Sequence, residues 1–273
     1  MLEPPMTGTP TEIETQAELR AAIDGLYTAF AGYPRPGSFE ACACCWPGEP
    51  VPGDAARVVV PAPGGDRPLR QLTADELGFL AGKVLTTGGT LDVLRHYLPR
   101  LLELVVGEGF AWPDLEAVFG RLAYGPLIGG PSWTGWPAPE QDAVRRFLHA
   151  FWPQRLATGR DVDDDGAGEA LCAIGLVDPD IGWYLDKWLR FDHPHAAGNL
   201  QRFLILNASA RHRGRLSDAF WSTDRAPAPE NQRRVVAWTR APATRDAVAA
   251  AADRARTPAE RDALDEIYLR WLD

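Results

Sequence analysis

The stretch Thr73-Ala74-Asp75-Glu76-Leu77-Gly78-Phe79-Leu80-Ala81-Gly82-Lys83-Val84, continued by Thr90-Leu91-Asp92-Val93-Leu94-Arg95-His96-Tyr97-Leu98-Pro99-Arg100-Leu101, decides the class of this chain. Thr73 precedes Glu76 by three residues, the spacing of a capping box. In that device the hydroxyl and the carboxylate satisfy orphan amides at a helix start. The spacing predicts a helix through about Thr87. Thr90 opens the next one, with Leu91, Leu94, Leu98, Leu101 and Val105 on one stripe at helical spacing and a kink at Pro99.

The same grammar extends in both directions. Upstream, Thr15 and Glu18 repeat the capping-box spacing ahead of a stripe formed by Leu19, Ile23, Leu26, Tyr27 and Phe30, which ends at Gly32. Downstream, helices are predicted over Asp114–Tyr124, over Glu140–Leu156 with a bend at Pro153, and near 168–176, 179–190, 195–211, 229–239, 243–255 and 258–272. Thr257, Pro258 and Glu260 supply an N-cap, a first-turn proline and a capping partner for the last. Strand patterns are nearly absent. Only Arg57-Val58-Val59-Val60 reads as a short extended piece, within a proline- and glycine-rich segment from 33 to 70. The expected fold is all-α: an array of antiparallel helices, resembling HEAT or armadillo repeats, with a long N-terminal Cys/Pro-rich loop. The expected organisation is a flexible 1–14, a helical unit over 15–160 and a second over 161–273, the last two alternatively forming one continuous domain.

Composition narrows the function classes. The chain has 273 residues, 45% hydrophobic and 24% charged, enough to bury a sizeable core. Its formal net charge of −9 opposes a phosphate backbone, so no nucleic-acid partner is expected. The short basic run Arg211, Arg213 and Arg215 around His212 reads as a solvated helix end, with an anionic-ligand site as the alternative. No basic region precedes an apolar run at the N-terminus, and no apolar stretch has transmembrane length. The expected location is therefore the cytoplasm, without membrane contact. Thiols are normally reduced there, which favours ligands, nucleophiles or core residues over disulfides.

The sharpest chemical feature is Cys42-Ala43-Cys44-Cys45, between Phe39-Glu40 and Trp46-Pro47. Thiolates are soft ligands for zinc, copper(I) or iron–sulfur centres. A metal would also supply folding energy that a proline-rich loop lacks. The alternative is small residues packed in a turn. His96 is the best remote ligand. At about a hundred degrees per residue it falls opposite the leucine stripe, on a face shared with Asp92 and Glu103. The expected metal set is thus Cys42, Cys44, Cys45 and His96, around zinc.

Other candidates read more plainly. His193-Pro194-His195 after Asp192 could ligate a metal but fits an ordinary helix start better. His149, between Leu148 and Phe151-Trp152, reads as a packed histidine, and Cys172 in Leu171-Cys172-Ala173-Ile174 as a core residue. Asp161-Val162-Asp163-Asp164-Asp165-Gly166 opens like a calcium loop. Its twelfth position, which should be a bidentate glutamate, is Cys172, so the segment reads as an acidic solvated loop. Among ten tryptophans, Trp183, Trp188, Trp238 and Trp271 follow helical spacing. Trp133 and Trp136 lie in a Gly/Pro loop, where they either meet a partner or cap neighbouring helices. No nucleophile elbow, P-loop, dinucleotide fingerprint or H-E-x-x-H motif occurs.

Phe39-Glu40-Ala41-Cys42-Ala43-Cys44-Cys45, Pro68-Leu69-Arg70-Gln71-Leu72-Thr73, Lys83-Val84-Leu85-Thr86-Thr87 and Arg95-His96-Tyr97-Leu98-Pro99-Arg100 resemble an uncharacterised group of bacterial proteins with an N-terminal C-x-C-C cluster. The resemblance covers roughly the first 105 residues and implies no activity. It places the cysteine loop and the His96 helix in one unit. Gly88-Gly89 departs from it, standing where a bulkier residue is expected.

Three functions follow from these readings. The first is a metal-binding helical protein with structural zinc and an interaction surface for a protein or small molecule. The second is a cysteine-dependent enzyme of secondary metabolism, with Cys44 or Cys45 as nucleophile. The third is a metal-free binding, immunity or regulatory module.

Overall fold

Thr73 caps its helix as the spacing requires. Its hydroxyl accepts from the Glu76 amide, and the Glu76 carboxylate accepts from the Thr73 amide at 3.0 Å. Arg67 donates to the same carboxylate, and together these bonds hold the Glu76 carboxyl down at about 2. Thr90 caps the next helix through the amide of Val93. The computed structural model describes residues 10–45, 56–158, 166–207, 214–253 and 262. Within them lie α1 (Pro10–Ala29), β1 (Ser38–Cys42), β2 (Arg57–Pro61), α2 (Ala74–Lys83), α3 (Leu91–Val106), α4 (Leu115–Gly120), α5 (Ala138–Ala157), α6 (Gly166–Gly175), α7 (Ile181–Arg190), α8 (Pro194–Leu206), α9 (Ala228–Trp238) and α10 (Pro242–Asp253). The described chain is mostly helical with one small two-stranded hairpin, and no repeat is identified in it.

Several predicted boundaries move. Helix α1 starts at Pro10 rather than Thr15, because a proline suits a first helical turn. Thr15 then lies inside the helix, and its hydroxyl donates back to the Glu12 carbonyl at 3.1 Å instead of capping. Helices α3 and α5 run on through Pro99 and Pro153. Trp133 and Trp136 are buried rather than offered to a partner: Trp136 meets Phe30 edge-on at 5.9 Å, and the Arg95 guanidinium covers its face. The calcium-like segment 161–165, the run Arg211-His212-Arg213, Trp46-Pro47, Trp271 and the helix predicted over 258–272 lie outside the described residues.

The hairpin pairs Phe39 with Val60, Ala41 with Val58 and Cys42 with Arg57. Phe39, Ala41 and Val60 are buried and Val59 is exposed, the alternation a half-buried sheet imposes. The free edge of β1 is taken up by the connection between α2 and α3. The Gly89 amide donates to the Glu40 carbonyl at 2.9 Å, and the Cys42 amide to the Thr87 carbonyl at 2.6 Å. Gly88 permits this approach, since a Cβ there would lie 2.8 Å from that of Ala41.

The chain divides into two compact units, Leu19–Leu148, and Met1–Glu18 with His149–Asp273. The core of the first gathers Leu26, Leu72, Leu77, Leu94, Tyr97, Phe119 and Phe147. Helix α3 buries Val93, Tyr97 and Leu104 as well as Leu94, Leu98 and Leu101 of its stripe, so packing reaches well beyond one face. Glu116, Arg121 and Glu140 are charged groups enclosed here. The Glu140 carboxylate takes the Tyr33 hydroxyl at 2.6 Å and faces Arg95 at 3.2 Å. Burial and that bond push the Tyr33 hydroxyl up to about 12. Arg121 donates to the carbonyls of Ala81, Gly82 and Val84 and reaches the Thr86 hydroxyl, completing the C-terminal end of α2.

The second unit is built on aromatic contacts. The Trp152 indole donates to the Tyr184 carbonyl at 2.9 Å, and the Tyr184 hydroxyl to Asp178 at 2.6 Å. Trp188 stacks with Trp238 and donates to the Ala196 carbonyl. Asn231 donates to the carbonyls of Gly175 and Asp178, tying α9 to the end of α6. Cys172 is fully buried. His193 is the N-cap of α8, its Nδ1 accepting from the His195 amide at 3.3 Å, and His149 stacks on Trp183 at 3.9 Å.

Replacing Arg121 with methionine keeps bulk but leaves buried carbonyls unpaired. Stability should fall by about 3 kcal/mol. Urea denaturation of the full chain followed by tryptophan fluorescence would measure it, and an unchanged midpoint would show that the clamp contributes nothing.

Candidate metal centre

Cys42 is the last residue of β1, and the chain turns immediately after it. The Cys45 amide donates to the Cys42 carbonyl at 3.2 Å, closing a four-residue turn, and the Ala43 amide reaches the Ala56 carbonyl at 3.3 Å. A turn of this kind brings its first and last residues together. Here the first, third and fourth positions are cysteines. Their sulfurs converge: Cys42 Sγ lies 3.0 Å from Cys44 Sγ, and Cys44 Sγ lies 3.4 Å from Cys45 Sγ. All three lie within 4.8 Å of one another, a group that could hold a metal ion. Cys44 is exposed and the other two are partly exposed.

The sulfurs tune one another. The thiol and backbone amide of Cys44, and then the thiol and backbone amide of Cys45, donate to the Cys42 sulfur, and these bonds bring its pKa down to about 7. Cys44, whose proton is held between Cys42 and Cys45, is pushed up to about 11. Cys42 and Cys44 therefore behave as a coupled pair, the ionised form of the first opposing loss of the proton from the second. The acidic thiol is Cys42, whereas the sequence pointed to Cys44 or Cys45 as a nucleophile. Its acidity comes from its two neighbouring cysteines and not from an imidazole.

His96 is not among the atoms that converge at the turn. Its Nδ1 lies 2.9 Å from the Tyr33 carbonyl and its ring meets Tyr97 edge-on at 4.7 Å. A carbonyl partner places the proton on Nδ1. Burial lowers the His96 pKa, which favours the neutral ring. Asp92 and Glu103 do not join it in a polar site. Asp92 is exposed and faces Arg95 at 3.8 Å, while Glu103 accepts from Tyr27 at 2.6 Å and Arg100 at 2.8 Å.

One feature escaped the sequence reading. A cleft of about 410 Å³ is lined by Arg35, Ser38, Glu40, Arg57, Thr90 and Asp92, among others, so that β1 serves as its wall as well as carrying Cys42. Arg57 pairs with Glu40 at 3.2 Å across the hairpin. The cleft is assembled from three separate segments, each unremarkable in sequence. The helix start of α3 is the part that Thr90 announces.

Compared with known families, with curated proteins and with solved structures, the chain finds no match. No described helix is long and apolar enough to cross a membrane.

The thiol couple makes a pH-dependent prediction. A group with a lowered pKa is ionised above that value, so alkylation of Cys42 by iodoacetamide should rise through a midpoint near 7. Cys44→Ala removes the strongest side-chain donor to Cys42 and should move that midpoint toward an ordinary thiol. Site-resolved mass spectrometry of the alkylated protein checks both. An unshifted midpoint in the variant would show that the sulfurs do not communicate.

Proposed function

We propose that this protein binds a thiophilic metal ion through Cys42, Cys44 and Cys45, zinc among the ions accepted. The convergence of three sulfurs on one exposed turn carries the reading. Sulfur donors of this kind suit soft and borderline ions. The role is ion binding rather than cross-linking, because all three donors come from one turn and join no two elements. His96, placed against Tyr33, is left out of the set. The helical remainder is read as the scaffold and as an interaction surface, supported by the exposed side chains of Leu127 and Ile128 on one short turn.

The cysteine-enzyme reading has one observation in its favour, the acidity of Cys42. Three adjacent thiols are more than a nucleophile requires, and ion binding accounts for all of them.

Titration of the reduced full chain with zinc, in competition with a chromophoric chelator, should give one ion per chain. Cys42→Ser or Cys44→Ser removes one arm of a chelate and should weaken binding by about 100-fold or more. Failure to retain zinc or any other soft ion at micromolar concentration would overturn the reading.

A further inference from the structure

The sulfur positions speak to the kind of ion. With metal–sulfur bonds of about 2.3 Å, tetrahedral coordination sets sulfurs about 3.8 Å apart and a trigonal plane sets them about 4.0 Å apart. At the same bond length, a pyramid with right angles at the ion brings them to about 3.3 Å. In the structure Cys44 Sγ lies 3.0 Å from Cys42 Sγ and 3.4 Å from Cys45 Sγ, and all three sulfurs lie within 4.8 Å of one another. The 3.4 Å separation stands beside the pyramidal value and the 3.0 Å one is shorter still, so both are closer than tetrahedral or trigonal coordination sets them.

The origin of the donors points the same way. Cys42, Cys44 and Cys45 belong to one turn closed by its own backbone bond, so they approach an ion from one side. An ion whose own lone pair fills the opposite side is satisfied by that arrangement. Zinc in a closed site needs a fourth donor.

Charge is a third, separate argument. Three thiolates neutralise a trivalent ion, leave −1 on a divalent one and leave −2 on a monovalent one. Residual negative charge calls for a nearby cation. Arg57, which stands opposite Cys42 across the hairpin, is already engaged by Glu40 at 3.2 Å. A neutral complex needs no such help.

We propose that Cys42, Cys44 and Cys45 form a three-thiol site for a trivalent, lone-pair-bearing metalloid of the arsenite and antimonite class. The proposal rests on the reading of the triad as an ion-binding site and names its preferred ligand. Binding is a condensation: three arsenic–oxygen bonds of arsenous acid break and three arsenic–sulfur bonds form. Each thiol proton leaves with a hydroxide as water, and arsenic stays trivalent throughout. The exposed sulfur of Cys44 gives the ion direct entry from solvent.

The test uses the reduced full-length chain, first loaded with zinc and then titrated with sodium arsenite. One equivalent of arsenite should release the zinc. X-ray absorption at the arsenic edge should then show three sulfurs and no oxygen around arsenic. Cys42→Ser, Cys44→Ser and Cys45→Ser should each give two sulfurs and one oxygen and weaken arsenite binding by about 100-fold. Circular dichroism of each variant verifies that the fold is kept. Two sulfurs and one oxygen in the unmodified protein, or zinc retained against equimolar arsenite, would overturn this proposal while leaving the ion-binding reading intact. Binding of neither zinc nor arsenite at micromolar concentration would defeat both.

Discussion

The Arg121 guanidinium, closed inside the first unit, satisfies the helix end from which the chain turns to meet the cysteine-bearing strand. A helix leaves its last carbonyls without partners, and burying them unsatisfied is costly. Helix α2 ends inside the unit, and Arg121 reaches the carbonyls of Ala81, Gly82 and Val84 there. With those groups satisfied, residues 84–89 leave the helix at once and lie along β1. Leu85 takes a positive φ of 68° at the bend, and Gly88 lets the backbone approach Ala41. The Cys42 amide then finds the Thr87 carbonyl. An arginine far along the chain thus satisfies the helix end from which the Cys42-bearing strand gains its partner.

The helices were legible because their signals are local. Thr73 with Glu76, Thr90, and Pro194 after His193 each mark a start through chemistry confined to one turn. Strand β1 was not legible. Ser38-Phe39-Glu40-Ala41-Cys42 alternates correctly, but one of its two inward residues is only an alanine, and the segment sits among prolines. Its pairing depends on β2 and on the α2–α3 connection, which no short window contains. The same reason explains Thr15. Its capping spacing is real, yet the helix had already begun at Pro10.

The candidate site was legible to the same extent. Three cysteines in four residues are conspicuous, and their sulfurs do meet. His96 was chosen by a helical-wheel argument that treats one face of α3 as buried and the other as free. Helix α3 is packed well beyond its leucine stripe, and the segment around Tyr33 takes up the imidazole. Asp92 stays at the surface, while Glu103 is drawn into bonds with Tyr27 and Arg100. Periodicity identifies what lies on the stripe. It does not say what other segments arrive to cover the remainder.

The turn closed by Cys45 on Cys42 has a thermodynamic consequence. Donors separated by so few residues stay close in any conformation of the chain, because closing so short a loop costs little entropy. A ligand stabilises a fold only to the extent that it prefers the folded chain to the unfolded one. An ion gripped by neighbouring residues has little such preference. Occupancy of such a site would therefore be nearly uncoupled from folding, and an ion held there would come and go while the helices stand unchanged.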